Sequence, residues 1–208
     1  MDLAQVPHLR EPFYSAPVAA HTPGDALPYY ELGGRGLERL CFELLVAKGN
    51  WPRYFGRNGE TQFGIDLIVS NGKNCDVYQC KNVKEFSLRM LADWLEKFSA
   101  EWLVARPTLP KPDQFVVVCP LPIRDREEIE VIKKEFYEKH SVTVDIWHRE
   151  LLDKQLANQP DIVADLFSEA WAERFCDCVS GLRIHGDEYQ SADQAKVEQS
   201  SVPRWGGG

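Results

Sequence analysis

No apolar run in the 208-residue chain approaches the ~20 residues that a membrane span requires. The opening segment, MDLAQVPHLREPF, lacks a basic start followed by an apolar core, so no secretory signal is expected there. A disulfide framework is missing too. The six cysteines (Cys41, Cys75, Cys80, Cys119, Cys176 and Cys178) form no CxxC pair and no regular spacing. Several lie inside apolar runs, which reads as buried free thiols in a reducing compartment and hence a cytoplasmic protein. Cys176-x-Cys178 with His185 does not match zinc-ligand spacing. Positive charge is scarce as well. A net charge of −8 argues against a generic nucleic-acid coat protein but not against a nuclease, whose metal-binding carboxylates are acidic and whose basic contacts are local. No internal repeat is evident, and the length suits one domain of ordinary size with tails.

What is present is a succession of short periodic segments. Residues 1–32 carry Pro7, Pro12, Pro17, Pro23 and Pro28, a density that no helical or alternating period survives, so an irregular arm is expected. Phe13, Tyr14, Tyr29 and Tyr30 are its candidates for pinning to the domain or to a partner. From Gly34 to Lys48 the period becomes helical, with Leu37, Leu40, Cys41, Leu44 and Leu45 on one broad face and Gly49 as the stop. Glu38 falls at the rim of that face and Glu43 on the far, solvated side near Arg39. A strand over 51–55 leads into the polar loop 56–62, in which Arg57, Asn58 and Gln62 are candidate phosphate or base contacts. Farther on, an amphipathic helix is expected over 87–105, and Lys84, Arg89 and Lys97 give its start a basic bias, Lys84 and Arg89 being further candidate nucleic-acid contacts. A strand over 114–121, a charged helix over 125–140, a strand over 142–147 and helices over 150–158 and 161–176 follow. These elements make a folded domain of 33–178, and 179–208 reads as a polar linker or tail. The expected fold class is α/β, a mixed central β-sheet flanked by helices on both faces.

The centre of this layout is residues 64–81, GIDLIVSNGKNCDVYQCK. Asn71-Gly72 is a strong hairpin signal, because both residues tolerate positive φ. Two registers are open. Pairing Ser70 with Cys75 sets Asp66 opposite Gln79, and pairing Ser70 with Lys73 sets Asp66 opposite Val77. In both, Asp66, Gln79 and Lys81 project from one face. A carboxylate, an amide oxygen and an ammonium then converge at the mouth of the hairpin, a set suited to a metal ion and a phosphate. The ordinary alternatives are a strand-end cap for Asp66, an exposed cross-strand partner for Gln79 and an edge-strand charge for Lys81. Glu38 has its own, an acid placed by the helix dipole.

Leu37-Glu38, Gly64-Ile65-Asp66 and Gln79-Cys80-Lys81, in that order on helix, strand and strand, resemble the PD-(D/E)XK nuclease superfamily. More narrowly the chain is similar to Mrr-type restriction endonucleases, whose pattern runs FE…GxD…QxK. Leu37 stands where that pattern has Phe, and Ile65 where the superfamily name has Pro. Gln79 in place of a second acid leaves the site one negative charge poorer. The segment 115–175 also resembles effector nucleases found ahead of NTPases in anti-phage systems, which implies a C-terminal NTPase or sensor domain in a longer chain.

The resemblance implies a restriction-endonuclease-like core and a Mg²⁺-dependent DNA endonuclease, with Mn²⁺ as a substitute. Asp66 would ligate the metal directly, Gln79 through its amide oxygen, Cys80 through its backbone carbonyl, and Glu38 directly or through water. Lys81 would orient the attacking water and stabilise charge in the transition state. Double-strand cutting further implies a homo-oligomer. A repair nuclease or junction resolvase, and a catalytically silent nucleic-acid-binding module, remain the alternatives.

Overall fold

A computed structural model describes residues 9–10, 26–56, 64–71, 74–104 and 111–176. Six strands form one sheet in sequence order: β1 (Leu9–Arg10), β2 (Pro52–Phe55), β3 (Leu67–Asn71), β4 (Asn74–Cys80), β5 (Gln114–Val118) and β6 (Thr143–Trp147). The first four pair antiparallel, whereas β4–β5 and β5–β6 are parallel. The sheet is therefore mixed. Parallel neighbours need a crossover, and α2 (Leu88–Phe98) and α3 (Arg126–His140) supply the two.

Alternation along the strands sorts the core into two layers. Leu67, Val69, Tyr78, Val116, Val118 and Trp147 pack against α1 (Gly33–Ala47) and the C-terminal helices α4 (Arg149–Leu156), α5 (Pro160–Leu166) and α6 (Glu169–Phe175). Ile68, Val77, Phe115, Val117, Val144 and Ile146 pack against α2, the π turn Ser99–Val104 that continues it, and α3. On α1, the predicted face of Leu37, Leu40, Cys41, Leu44 and Leu45 is buried.

Three expectations need correcting. The supposed irregular arm contributes to the core before residue 33: Leu27 and Tyr29 are buried, and the Tyr29 hydroxyl donates to Asp153 at 2.6 Å. The helix expected over 161–176 is two helices, because the Ser168 side chain accepts the Trp171 N–H at 3.3 Å and starts α6 afresh. The side of α1 carrying Arg39 and Glu43 is only partly solvated. Arg39 is buried and ion-paired with Asp165 of α5, with Glu43 4.0 Å away, because α5 packs over that side. Among the described residues the cysteines are free thiols, all buried except the half-buried Cys80, and no helix is long and apolar enough to cross a membrane.

Candidate functional site

The hairpin adopts the first of the two registers, with Ser70 opposite Cys75 and Leu67 opposite Tyr78. Asp66 precedes β3, where its N–H donates to the Tyr78 carbonyl at 2.8 Å. Gln79 and Lys81 keep the parity of Val77, so they face the α2–α3 layer. Strict alternation ends before Asp66, since Ile65 packs in the same layer as Ile68 and the Asp66 N–H and C=O bond to opposite strands. The Lys81 N–H bonds to Val118 of β5 at 2.8 Å. The alternating backbone therefore turns the Cys80 N–H, and the C=O of the same residue, toward β3. There the Asp66 carboxylate accepts the Cys80 N–H at 2.7 Å, in place of the carbonyl a longer β3 would have supplied. Asp66 is 9% exposed.

Gln79 is 3% exposed, and its side-chain oxygen is buried with no hydrogen-bond partner. Leaving such an acceptor unmet costs about 1–3 kcal/mol. Its amide is held from the other side by Gly64, at φ +71°, where a Cβ would come within 2.5 Å of Gln79 Nε2. The glycine of the GxD pattern is thus required twice, by its backbone and by the amide it makes room for. Lys81 lies beside the pair, half-buried, its Nζ 5.4 Å from the centroid of the Trp94 ring on α2. Burial pushes its ammonium below the ordinary lysine range, Lys97 pushes the same way, and the Asp66 charge opposes both.

Two of the ordinary alternatives fail against this arrangement. Gln79 is not an exposed cross-strand partner, and β4 is an interior strand, so Lys81 is no edge charge. The alternative for Asp66 is met in full, since it does cap the strand end. Glu38 is half-buried on α1, on the layer opposite the one Gln79 and Lys81 face and past the first turn where a helix-dipole acid would sit. Leu37 beside it lies against Cys80: the Cys80 Sγ is 3.9 Å from the Leu37 carbonyl. Burial raises the Cys80 thiol's pKa most, followed by its contact with Cys41 and then the charges of Asp66 and Glu38. Both acids therefore stand within electrostatic reach of one strand end.

The other candidates divide. Lys84 is exposed beside the site, its Nζ 5.5 Å from the Tyr30 ring centroid. Arg89 is exposed on the first turn of α2, roughly 140° round the helix from Trp94 at 100° per residue, and is not brought to the site. Arg57, Asn58 and Gln62 lie outside the described residues, as do Cys178 and His185. Trp94 and Phe86 went unnoticed in the sequence. Their signal was available, an aromatic at the rim of the α2 stripe just after Gln-x-Lys. Among the described residues no three His, Cys, Asp or Glu side chains gather as a metal cage. A cation here would rest on two acids, an amide oxygen and a backbone carbonyl. That donor set is all oxygen and suits a hard divalent ion, with the unpartnered Gln79 oxygen among the donors.

No family model, curated protein or solved structure matches the chain. The functional reading therefore stands on the geometry of the hairpin.

Proposed function

We propose that the protein is a divalent-metal-dependent nuclease that hydrolyses phosphodiester bonds in DNA, with its active site at the carboxyl end of β4. The observation that carries this is the buried, unpartnered Gln79 oxygen beside the capped Asp66 carboxylate, with Lys81 on the same face. Other buried side-chain atoms of the described residues also lack a partner, among them Ser70 Oγ and Gln155 Oε1; what sets Gln79 apart is its place beside an oriented carboxylate and a lysine. Asp66, Gln79 and the Cys80 carbonyl would hold the cation, with Glu38 completing the set from α1. When bound, Mg²⁺ or Mn²⁺ supplies Lewis acidity toward a phosphate oxygen and a water of lowered pKa.

The chain's own groups do the rest. Asp66 is fixed by its bond from the Cys80 N–H, so its carboxylate is oriented before any ligand arrives. Lys81, partly desolvated against Trp94, presents an ammonium whose interaction with a phosphate strengthens as negative charge accumulates.

Plasmid DNA incubated with Mg²⁺ should be cleaved and with EDTA left intact, and Lys81→Met should abolish cleavage. Equal cleavage by wild type and by the Asp66→Asn and Lys81→Met variants would refute the assignment. DNA retained in a gel shift with no cleavage in any divalent metal would instead favour a catalytically silent binding module. The resemblance extends the reading to an effector domain ahead of an NTPase, which the reading frame beyond Gly208 tests.

A further inference from the structure

Partly exposed aromatic rings line the approach to Lys81, and the nuclease reading does not use them. Trp94 is half-buried, its ring facing Lys81 Nζ at 5.4 Å. Phe86 lies beside it, centroids 6.2 Å apart and planes at 56°. On the other side of the segment leaving β4, Tyr30 is 52% exposed, and Lys84 Nζ stands 5.5 Å from its ring. Asn82 fixes that side, its Nδ2 donating to the Tyr30 carbonyl at 3.0 Å. Helix packing explains part of this. Phe86 precedes the Ser87 cap, where an apolar residue ordinarily packs on the first turn. It does not explain why Trp94 stays partly exposed next to an ammonium, or why Tyr30 projects from the surface while the adjacent Tyr29 is buried.

Lys97 lies at i+3 from Trp94 on α2, with its Nζ 3.9 Å from Glu101, and Asp93 is its i,i+4 neighbour, whereas Glu96 projects from the far side of the helix. In a chain of net charge −8, Lys81 over Trp94 and Lys84 over Tyr30 set two cations against two aromatic rings. Cations that track a backbone beside rings on which bases stack are what single-stranded nucleic acid requires, because bases in a duplex already stack on each other.

We propose that Trp94, with Phe86 beside it, forms a stacking subsite for an unpaired base next to the scissile phosphate, and that the substrate is single-stranded DNA or a duplex opened at the cleavage point. This rests on the nuclease reading for the identity of the neighbouring phosphate, but the subsite is testable without catalysis. In EDTA, fluorescence anisotropy with a fluorescein-labelled 12-nucleotide single strand and a blunt duplex of the same sequence should show tighter binding of the single strand. Trp94→Ala should weaken single-strand binding about tenfold or more and Trp94→Phe far less, with duplex binding unchanged in both. Single-strand binding untouched by Trp94→Ala, or a duplex bound as tightly as the single strand, would overturn the proposal. Should Trp94→Ala fail to fold by circular dichroism, photocrosslinking wild type to an oligonucleotide carrying 5-iodouracil decides: adducts on Trp94, Phe86 or Tyr30 support the subsite, and adducts confined elsewhere refute it. Mg²⁺-dependent cleavage with no Trp94 effect on binding would discard the subsite and leave the nuclease. Trp94-dependent binding without cleavage in any metal would do the reverse.

Discussion

Gly64→Ala tests the packing on which the site depends. Gly64 sits at φ +71°, where an alanine Cβ meets its own backbone at a cost of roughly 1–2 kcal/mol. The same Cβ would stand 2.5 Å from Gln79 Nε2, too close to be tolerated. Gln79 is a flexible side chain, but at 3% exposure it has little room to retreat, and an off-rotamer shift adds about 0.5–1.5 kcal/mol. The sum is about 1.5–3.5 kcal/mol. At about 2–4 °C per kcal/mol for a chain of this size, Tm should fall by roughly 3–14 °C. The two contributions separate in a double-mutant cycle. In a Gln79→Ala background the amide is gone, so Gly64→Ala should cost only the backbone part, and the difference should be about 0.5–1.5 kcal/mol. Urea denaturation of the four proteins, with m-values compared to establish a common unfolded state, measures it. Identical losses in both backgrounds would show that the glycine serves its backbone alone and that Gln79 is not held as described.

Three further outcomes follow from the same geometry. Asp66→Ala should lower stability by about 1–3 kcal/mol by stranding the Cys80 N–H, whereas Asp66→Asn keeps an acceptor and most of that stability, both being inactive; an Asp66→Ala protein as stable as wild type in urea would contradict the cap. Gln79→Leu should leave metal-free stability unchanged or raise it by about 1 kcal/mol while abolishing cleavage, since it removes an unmet acceptor at similar volume; a loss beyond about 1 kcal/mol would mean that the amide oxygen has a partner. Asp76, half-buried on β4, has its carboxyl pKa raised, by burial first and then by the Asp113 charge. The folded state therefore holds that proton more tightly than the unfolded chain does, and its ionisation erodes stability as pH rises from the unfolded value through the folded one. Asp76→Asn should accordingly be more stable than wild type at pH 7 and equal to it below the unfolded pKa, and a pH-independent difference in melts would refute this.

Much of the layout was legible in the sequence because it is local. The α1 face, the apolar β5 run and the Asn71-Gly72 hairpin each follow from periodicity or turn chemistry within a few residues. Parity carried Gln79 and Lys81 together under either register, whereas Asp66 is brought beside them by the bond its carboxylate takes from the Cys80 N–H, which alternation alone does not foretell. Contacts between distant residues were illegible. Arg39 reads as a surface charge until Asp165, 126 residues away, covers it, and Tyr29, readable as a pin for the arm, has no legible partner until Asp153 accepts its hydrogen bond. The break in the last helix was readable, since Ser168 followed by Glu169 is a helix start, but the apolar period running across it was the stronger pattern. Whether a side chain is met or orphaned is likewise invisible without coordinates. Gln79 could have been an exposed amide, and only its burial turns the residue into a functional signal.

Asp66 joins fold and chemistry in a way that bears on how any variant is read. Its carboxylate ends the β3–β4 ladder by taking the Cys80 N–H, and that bond also aims it at the site. Removing the side chain therefore loosens the strand end that carries Gln79, Cys80 and Lys81, so lost activity in Asp66→Ala cannot be credited to a missing ligand alone. Asp66→Asn separates the two roles, because it keeps the acceptor for Cys80 and removes the charge a divalent ion requires. The ion's contribution is then readable as stabilisation rather than turnover. Mg²⁺ or Mn²⁺ should raise the Tm of wild type in proportion to ln(1 + [L]/Kd). It should leave Asp66→Asn unmoved and raise Gln79→Leu less than wild type. Equal metal-induced shifts in all three proteins would place the ion elsewhere and detach the orphaned amide from the function proposed for it.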